Sequence, residues 1–98
     1  MHVEVPQEQI EAFCRKWKIR EFALFGSVLR DDFRPDSDVD VLVEFEPDAQ
    51  HTLLDRAEMA EELKTLFSRE VDLVRKDRIS NPFRRRQILG HNRIVYAA

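Results

Sequence analysis

A single cysteine, Cys14, leaves no internal disulfide to form, which fits a reducing compartment. No apolar run approaches the roughly 20 residues that a bilayer crossing needs, and residues 1–9 carry no stretch of the signal-peptide type. A cytoplasmic protein without membrane contact is therefore expected. Positive charge is not in excess: 16 Lys and Arg stand against 19 Asp and Glu, for a formal net charge of −3 and a pI near 5.6. Affinity for a phosphate backbone depends on clustered Lys and Arg, so direct nucleic-acid binding is not expected. The three histidines, His2, His51 and His91, are scattered and suggest no zinc site. Neither repeats nor a linker interrupt the chain.

What is present describes a soluble folded protein, with 43% hydrophobic and 36% charged residues. A chain of 98 residues is read as one domain, 1–98; at this size roughly 60–68% of the unfolded surface is buried. Pro6 followed by Ile10, Phe13, Cys14 and Trp17 at helical spacing predicts an amphipathic helix over 6–17, with Cys14 and Trp17 in the core. Strand-favouring residues fill 19–25 and end at Gly26. A turn at 34–37, built on Pro35, precedes a strand over 38–45. Thr52 and Asp55 resemble a capping box, opening a helix to about Phe67 whose lined face is Leu53, Ala57, Ala60, Leu63 and Phe67. A strand over 70–75, a helix from Asn81-Pro82 to near Gly90 and a short strand over 93–96 complete an α/β (α+β) pattern, a mixed sheet flanked by helices.

The chemistry is concentrated between Phe25 and Phe45. Gly26 and Ser27 are followed, after ten intervening residues, by Asp38-Val39-Asp40. Along a strand Asp38 and Asp40 share a face, with backbones roughly 6.6 Å apart. Both carboxylates could lean onto one hard cation or straddle a pair about 3.5–4 Å apart. Magnesium suits such a site, because it is commonly held by one or two carboxylates together with substrate phosphates. Gly26 can take positive φ and let a phosphate approach the backbone, Ser27 adds a hydroxyl, and a short helix opening at Val28 would aim N–H groups at the same place. Asp72, alternating with Val71 and Leu73, would join as a third carboxylate if its strand pairs beside the first, completing the metal site and accepting a proton. The density of Asp31, Asp32, Asp36, Asp38 and Asp40 would repel itself without cations.

Gly-Ser, a ten-residue spacer and Asp-x-Asp resemble the signature of the polymerase-β-like nucleotidyltransferase superfamily. The run Phe-Gly-Ser-x-x-Arg through Arg-Pro-Asp-Ser-Asp-Val-Asp-Val-Leu-Val is similar to that of the minimal nucleotidyltransferases, over nearly the whole chain. The resemblance implies the polymerase-β-like fold, Gly26 and Ser27 on the β- and γ-phosphates of ATP, Mg2+ on Asp38 and Asp40, and Asp72 as the third acid. Arg30 falls at the family's usual arginine; Asp31 stands where many relatives have glycine. It further implies an antitoxin that transfers AMP from ATP to a tyrosine of a HEPN-domain ribonuclease toxin and so silences it.

Plainer readings stand beside these. Arg30 either contacts phosphate or balances Asp31 or Asp32. Ser37 either touches the nucleotide or closes an Asp-Ser turn. Arg84, Arg85 and Arg86 point in different directions on a helix and read as a solvated face or a contact with an acidic partner. At the level of function, an antitoxin acting by occlusion and a small-molecule transferase of aminoglycoside type are the alternatives, and self-association or a hetero-oligomer is left open.

Overall fold

Two-residue alternation and helical spacing each produce an element where the sequence predicts one. The computed structural model of the chain describes residues 4–30, 34 and 37–98. Along the chain these form α1 (Gln7–Lys16), β1 (Ile19–Phe25), a 3-10 turn (Gly26–Leu29), β2 (Val39–Phe45), α2 (Leu53–Phe67), β3 (Val71–Arg75), a second 3-10 turn (Lys76–Arg78), α3 (Pro82–Gly90) and β4 (Asn92–Ala97). The sheet order is β3-β2-β1-β4. β1 runs antiparallel to both β2 and β4, whereas β2 and β3 are parallel. A parallel pair needs a crossover, and α2 supplies it.

The sheet has a core on each face. Val39, Val41 and Val43 project to one side, with Phe22 and Leu24, and meet Ile10 and Phe13 of α1 and Met59, Leu63 and Phe67 of α2. The opposite face is smaller: Ala23, Phe25 and Leu42 pack with Ile79 and with Ile88 of α3. Complete burial of a side chain such as Phe22 contributes about 1.5–3 kcal/mol. Cys14 and Trp17 are both core. Burial pushes the Cys14 thiol up to about 12, above the range where a thiolate could act as a nucleophile.

Capping fixes the helix ends. Thr52 and Asp55 form the expected box: the Thr52 hydroxyl accepts from the Asp55 N–H at 3.1 Å, and the Asp55 carboxylate accepts from the Thr52 N–H at 3.0 Å. Asn81 Oδ1 accepts from the Phe83 and Arg84 N–H groups, with Pro82 in the first turn. At the far end Asn92 Nδ2 donates to the Ile88 and Leu89 carbonyls.

Two expectations are corrected. Of the expected face of α2, Leu63 and Phe67 are buried and Met59 joins them, whereas Leu53 is 85% exposed and Ala57 is also on the surface. The 53, 57, 60 stripe is apolar, but before Met59 the helix reaches the sheet through a polar contact, Arg56 Nη2 donating to the Leu73 carbonyl at 3.5 Å. The last helix ends at Gly90 as expected, with His91 and the Asn92 amide closing it. The turn after β1 is 3-10 and starts at Gly26, not at Val28. The bend at Pro35 and Asp36 and the acids Asp31 and Asp32 lie outside the described residues. Among the described residues no helix is long and apolar enough to cross a membrane.

Candidate active site

Strand alternation decides which way the acids face. Val39 and Val41 are locked into the α1/α2 core, so Asp40 between them must face the α3 side. Val71 and Leu73 pack against the same core and turn Asp72 the same way. In the parallel ladder Asp40 is the register partner of Asp72, and in the antiparallel ladder it is the partner of Phe25. Phe25 in turn pairs with Asn92. One row across the sheet therefore reads Asp72, Asp40, Phe25, Asn92, with neighbours about 4.8 Å apart. Asp38 is exposed and immediately precedes β2.

Gly26 follows Phe25 and turns the chain over Asp40. Its φ is +76°, and a Cβ added there would sit 2.3 Å from Asp40 Oδ2 and 3.2 Å from Cγ. Both the left-handed backbone and the contact demand glycine. The Ser27 N–H favours the charged form of the Asp40 carboxylate, and fully buried Val28 anchors the turn. The glycyl-seryl corner and the second acid of Asp-x-Asp are thus in direct contact.

The electrostatics are unfavourable as they stand. Burial, then the charges of Asp72 and Asp38, push the Asp40 carboxyl above its ordinary value; the Arg84 guanidinium and the Ser27 N–H oppose the rise without cancelling it. Among the described residues, no three His, Cys, Asp or Glu side chains are gathered into a preformed metal cage. The donor set nevertheless suits a hard divalent cation: carboxylates that repel one another on one face, with room left for substrate oxygens, are how Mg2+ is usually held.

Beside the corner lies a cavity of about 650 Å³. Phe25, Leu29 and Ile88 line it with apolar surface, and Arg30, Arg84 and His91 line it as well. Arg30 thus stands next to Gly26. Ser37 does otherwise: its hydroxyl accepts from the Arg34 N–H at 3.0 Å and its own N–H donates to the Arg34 carbonyl, so it closes a turn. Arg69 ties that turn to the end of α2 by donating to the Arg34 carbonyl at 2.8 Å.

Arg84 is the residue that sequence reasoning set aside. Of the three consecutive arginines it is the one turned to the acidic site, while Arg85 Nη1 donates to the Lys76 carbonyl at 2.9 Å. Positions 84, 87, 88 and 91 make a helical stripe, and all four line the cavity. Ile88 is the signal that could have found it, because the apolar residue that docks α3 fixes which arginine faces inward.

The comparisons with known proteins agree with this geometry. The family described as Nucleotidyltransferase domain matches residues 7–95. The chain is 34% identical over 73 residues to a Methanocaldococcus jannaschii protein provisionally named a protein adenylyltransferase, covering 74% of this chain and 73% of that one. It is 39% identical over 66 residues to the protein adenylyltransferase MntA of Thermococcus cleftensis, covering 67% and 65%. A solved structure, provisionally described as a minimal nucleotidyltransferase, superposes with a TM-score of 0.69 at 36% identity, over 88% of this chain and 85% of that one. A toxin–antitoxin crystal structure with AMP-PNP shares the fold, with a TM-score of 0.74 at 22% identity over 96% and 75%. The chain belongs to the nucleotidyltransferase domain family and, within it, to the minimal nucleotidyltransferases. It is an enzyme of the nucleotidyltransferase class.

Proposed function

We propose that the chain is an antitoxin that transfers AMP from ATP to a tyrosine hydroxyl of a HEPN-domain toxin, with Mg2+ as cofactor. The observation that carries the reading is the register of Asp40 beside Asp72, with the Gly26–Ser27 corner closed onto the same carboxylate. The protein acceptor is supported by relatives named protein adenylyltransferases. A HEPN toxin as that acceptor is supported by a fold neighbour described as a tri-AMPylated HEPN toxin in complex with its MNT antitoxin.

Mg2+, when bound, would supply a positive charge that offsets the charge developing on the phosphates. Asp38, Asp40 and Asp72 are the residues that would hold it. Gly26 opens the backbone to the phosphate chain, and Ser27 and Arg30 bind its β- and γ-groups. Asp72 takes the phenolic proton as the tyrosine oxygen attacks the α-phosphorus; the new O–P bond forms while the bond to the β-phosphate oxygen breaks, and pyrophosphate leaves. Incubation of the purified chain with α-labelled ATP, Mg2+ and a cognate HEPN protein should label that protein on tyrosine. Absence of label with every divalent metal tried would overturn the reading. An Asp38→Asn, Asp40→Asn double variant that still binds and neutralises the toxin would instead identify occlusion as the mechanism.

A further inference from the structure

We infer that Arg84 binds the terminal phosphates of the nucleotide and holds the pyrophosphate as it leaves, making α3 part of the active site. The inference rests on the proposed nucleotide reading and adds to it a residue outside the Gly-Ser and Asp-x-Asp segments.

Three observations converge. The first is position: Asp72, Asp40, Phe25 and Asn92 lie in one row across the sheet, and the cavity is lined by Phe25 and Asn92, so it begins one strand spacing, about 4.8 Å, from Asp40. Gly26 both touches Asp40 and lines the cavity. A triphosphate whose α-group is at the acids and whose tail passes the glycyl corner runs into the cavity. The second is charge. In a chain of net charge −3, the described residues lining this cavity include two arginines and a histidine and no carboxylate. That is a place built for an anion, directly beside a cluster of acids. The third is anchoring: Ile88 is buried against the sheet, and the Asn81 and Asn92 side chains cap both ends of α3. The arginine one turn before Ile88 therefore emerges from a fixed backbone.

The chemistry follows. Breaking the bond to the α-phosphorus puts negative charge on the departing pyrophosphate, and a positioned guanidinium stabilises that charge with paired N–H donors. A lysine matches the charge but not the fork. The bland alternative is that Arg84 merely offsets Asp40, whose charge it already feels.

Titration calorimetry with inorganic pyrophosphate and, separately, with Mg-AMP-PNP separates the two. Arg84→Gln should weaken pyrophosphate binding at least tenfold and Arg84→Lys should fall between it and the parent. Arg85→Gln, whose side chain reaches the Lys76 carbonyl, should bind as the parent does. Should Arg84→Gln fail to fold, Arg84→Lys decides alone, since it keeps the charge beside Asp40 and loses only the fork. Pyrophosphate affinity unchanged in the folded Arg84 variants, with the parent binding Mg-AMP-PNP normally, overturns this inference and leaves the proposed function standing. A parent chain that binds neither ligand overturns both.

Discussion

Gly26 and Asp40 constrain each other more tightly than any other pair in the site. Any side chain at position 26 must accept a φ of +76° and occupy space 2.3 Å from Asp40 Oδ2. The backbone alone costs about 1–2 kcal/mol for a residue with a Cβ, and the carboxylate has to move as well. Gly26→Ala should lower the melting temperature and abolish nucleotidyl transfer, both checked on one preparation by thermal unfolding and by the labelling assay. Asp40 presents the opposite case. Burial and the charges of Asp72 and Asp38 hold its carboxyl above the ordinary 3.8, so ionisation is less favourable in the folded chain than in the unfolded one. A raised folded value means that the group's contribution is present below about pH 4 and is lost as pH rises through that value. Asp40→Asn should therefore raise the melting temperature of the metal-free protein at pH 7. The gain should shrink as pH falls towards 4, while transfer activity disappears at every pH. Thermal unfolding of both chains at the two pH values measures it.

Helices and strands place these residues through local signals of very different legibility. The capping box at Thr52 and Asp55 is readable from the sequence and present in the fold. Thr52→Ala leaves an N-terminal donor of α2 without its partner and should cost about 1 kcal/mol, measured by denaturant unfolding with an unchanged m-value. β2 and β3 were legible for the same reason: Val39, Val41, Val71 and Leu73 alternate with acids, and alternation alone says that Asp40 and Asp72 face one way. Their register, which sets Asp40 beside Asp72, was not, because it depends on the crossover through α2. The buried stripe of α2 was legible only in part: Leu63 and Phe67 are on it as expected, but two overlapping stripes are apolar and the sheet's position selects Met59 over Leu53 and Ala57. Arg84 was hidden by its neighbours Arg85 and Arg86. Helical spacing shows that they diverge, but only the docking of Ile88 on Ala23, Phe25 and Leu42 says which one points inward.

At the scale of the whole molecule the sheet is clamped unequally. Its α1/α2 face carries the larger core, whereas the α3 face is held by Ile79, Ile88 and the sheet residues Ala23, Phe25, Leu42 and Val74. A smaller apolar contact opens at lower free energy than the global transition, so α3 is the element expected to part first from the sheet. A ligand spanning Asp40 and Arg84 would bridge that weaker junction as well as relieve the repulsion among the acids. Binding to the folded state alone adds RT ln(1 + [L]/Kd), about 2.7 kcal/mol at a hundredfold excess over Kd. For a chain of this size each kcal/mol raises the melting temperature by about 4–8 °C, so saturating Mg-AMP-PNP should raise it by roughly 10–20 °C. Mg2+ alone acts only on the acids and should give a smaller rise. The Asp40→Asn chain, which starts from a higher melting temperature at neutral pH, should show little response to either. Hydrogen exchange on the parent should locate the added protection: a slowing confined to the amides of α3 and the Gly26–Leu29 turn fits bridging across the site, and a slowing spread evenly over α1 and α2 does not.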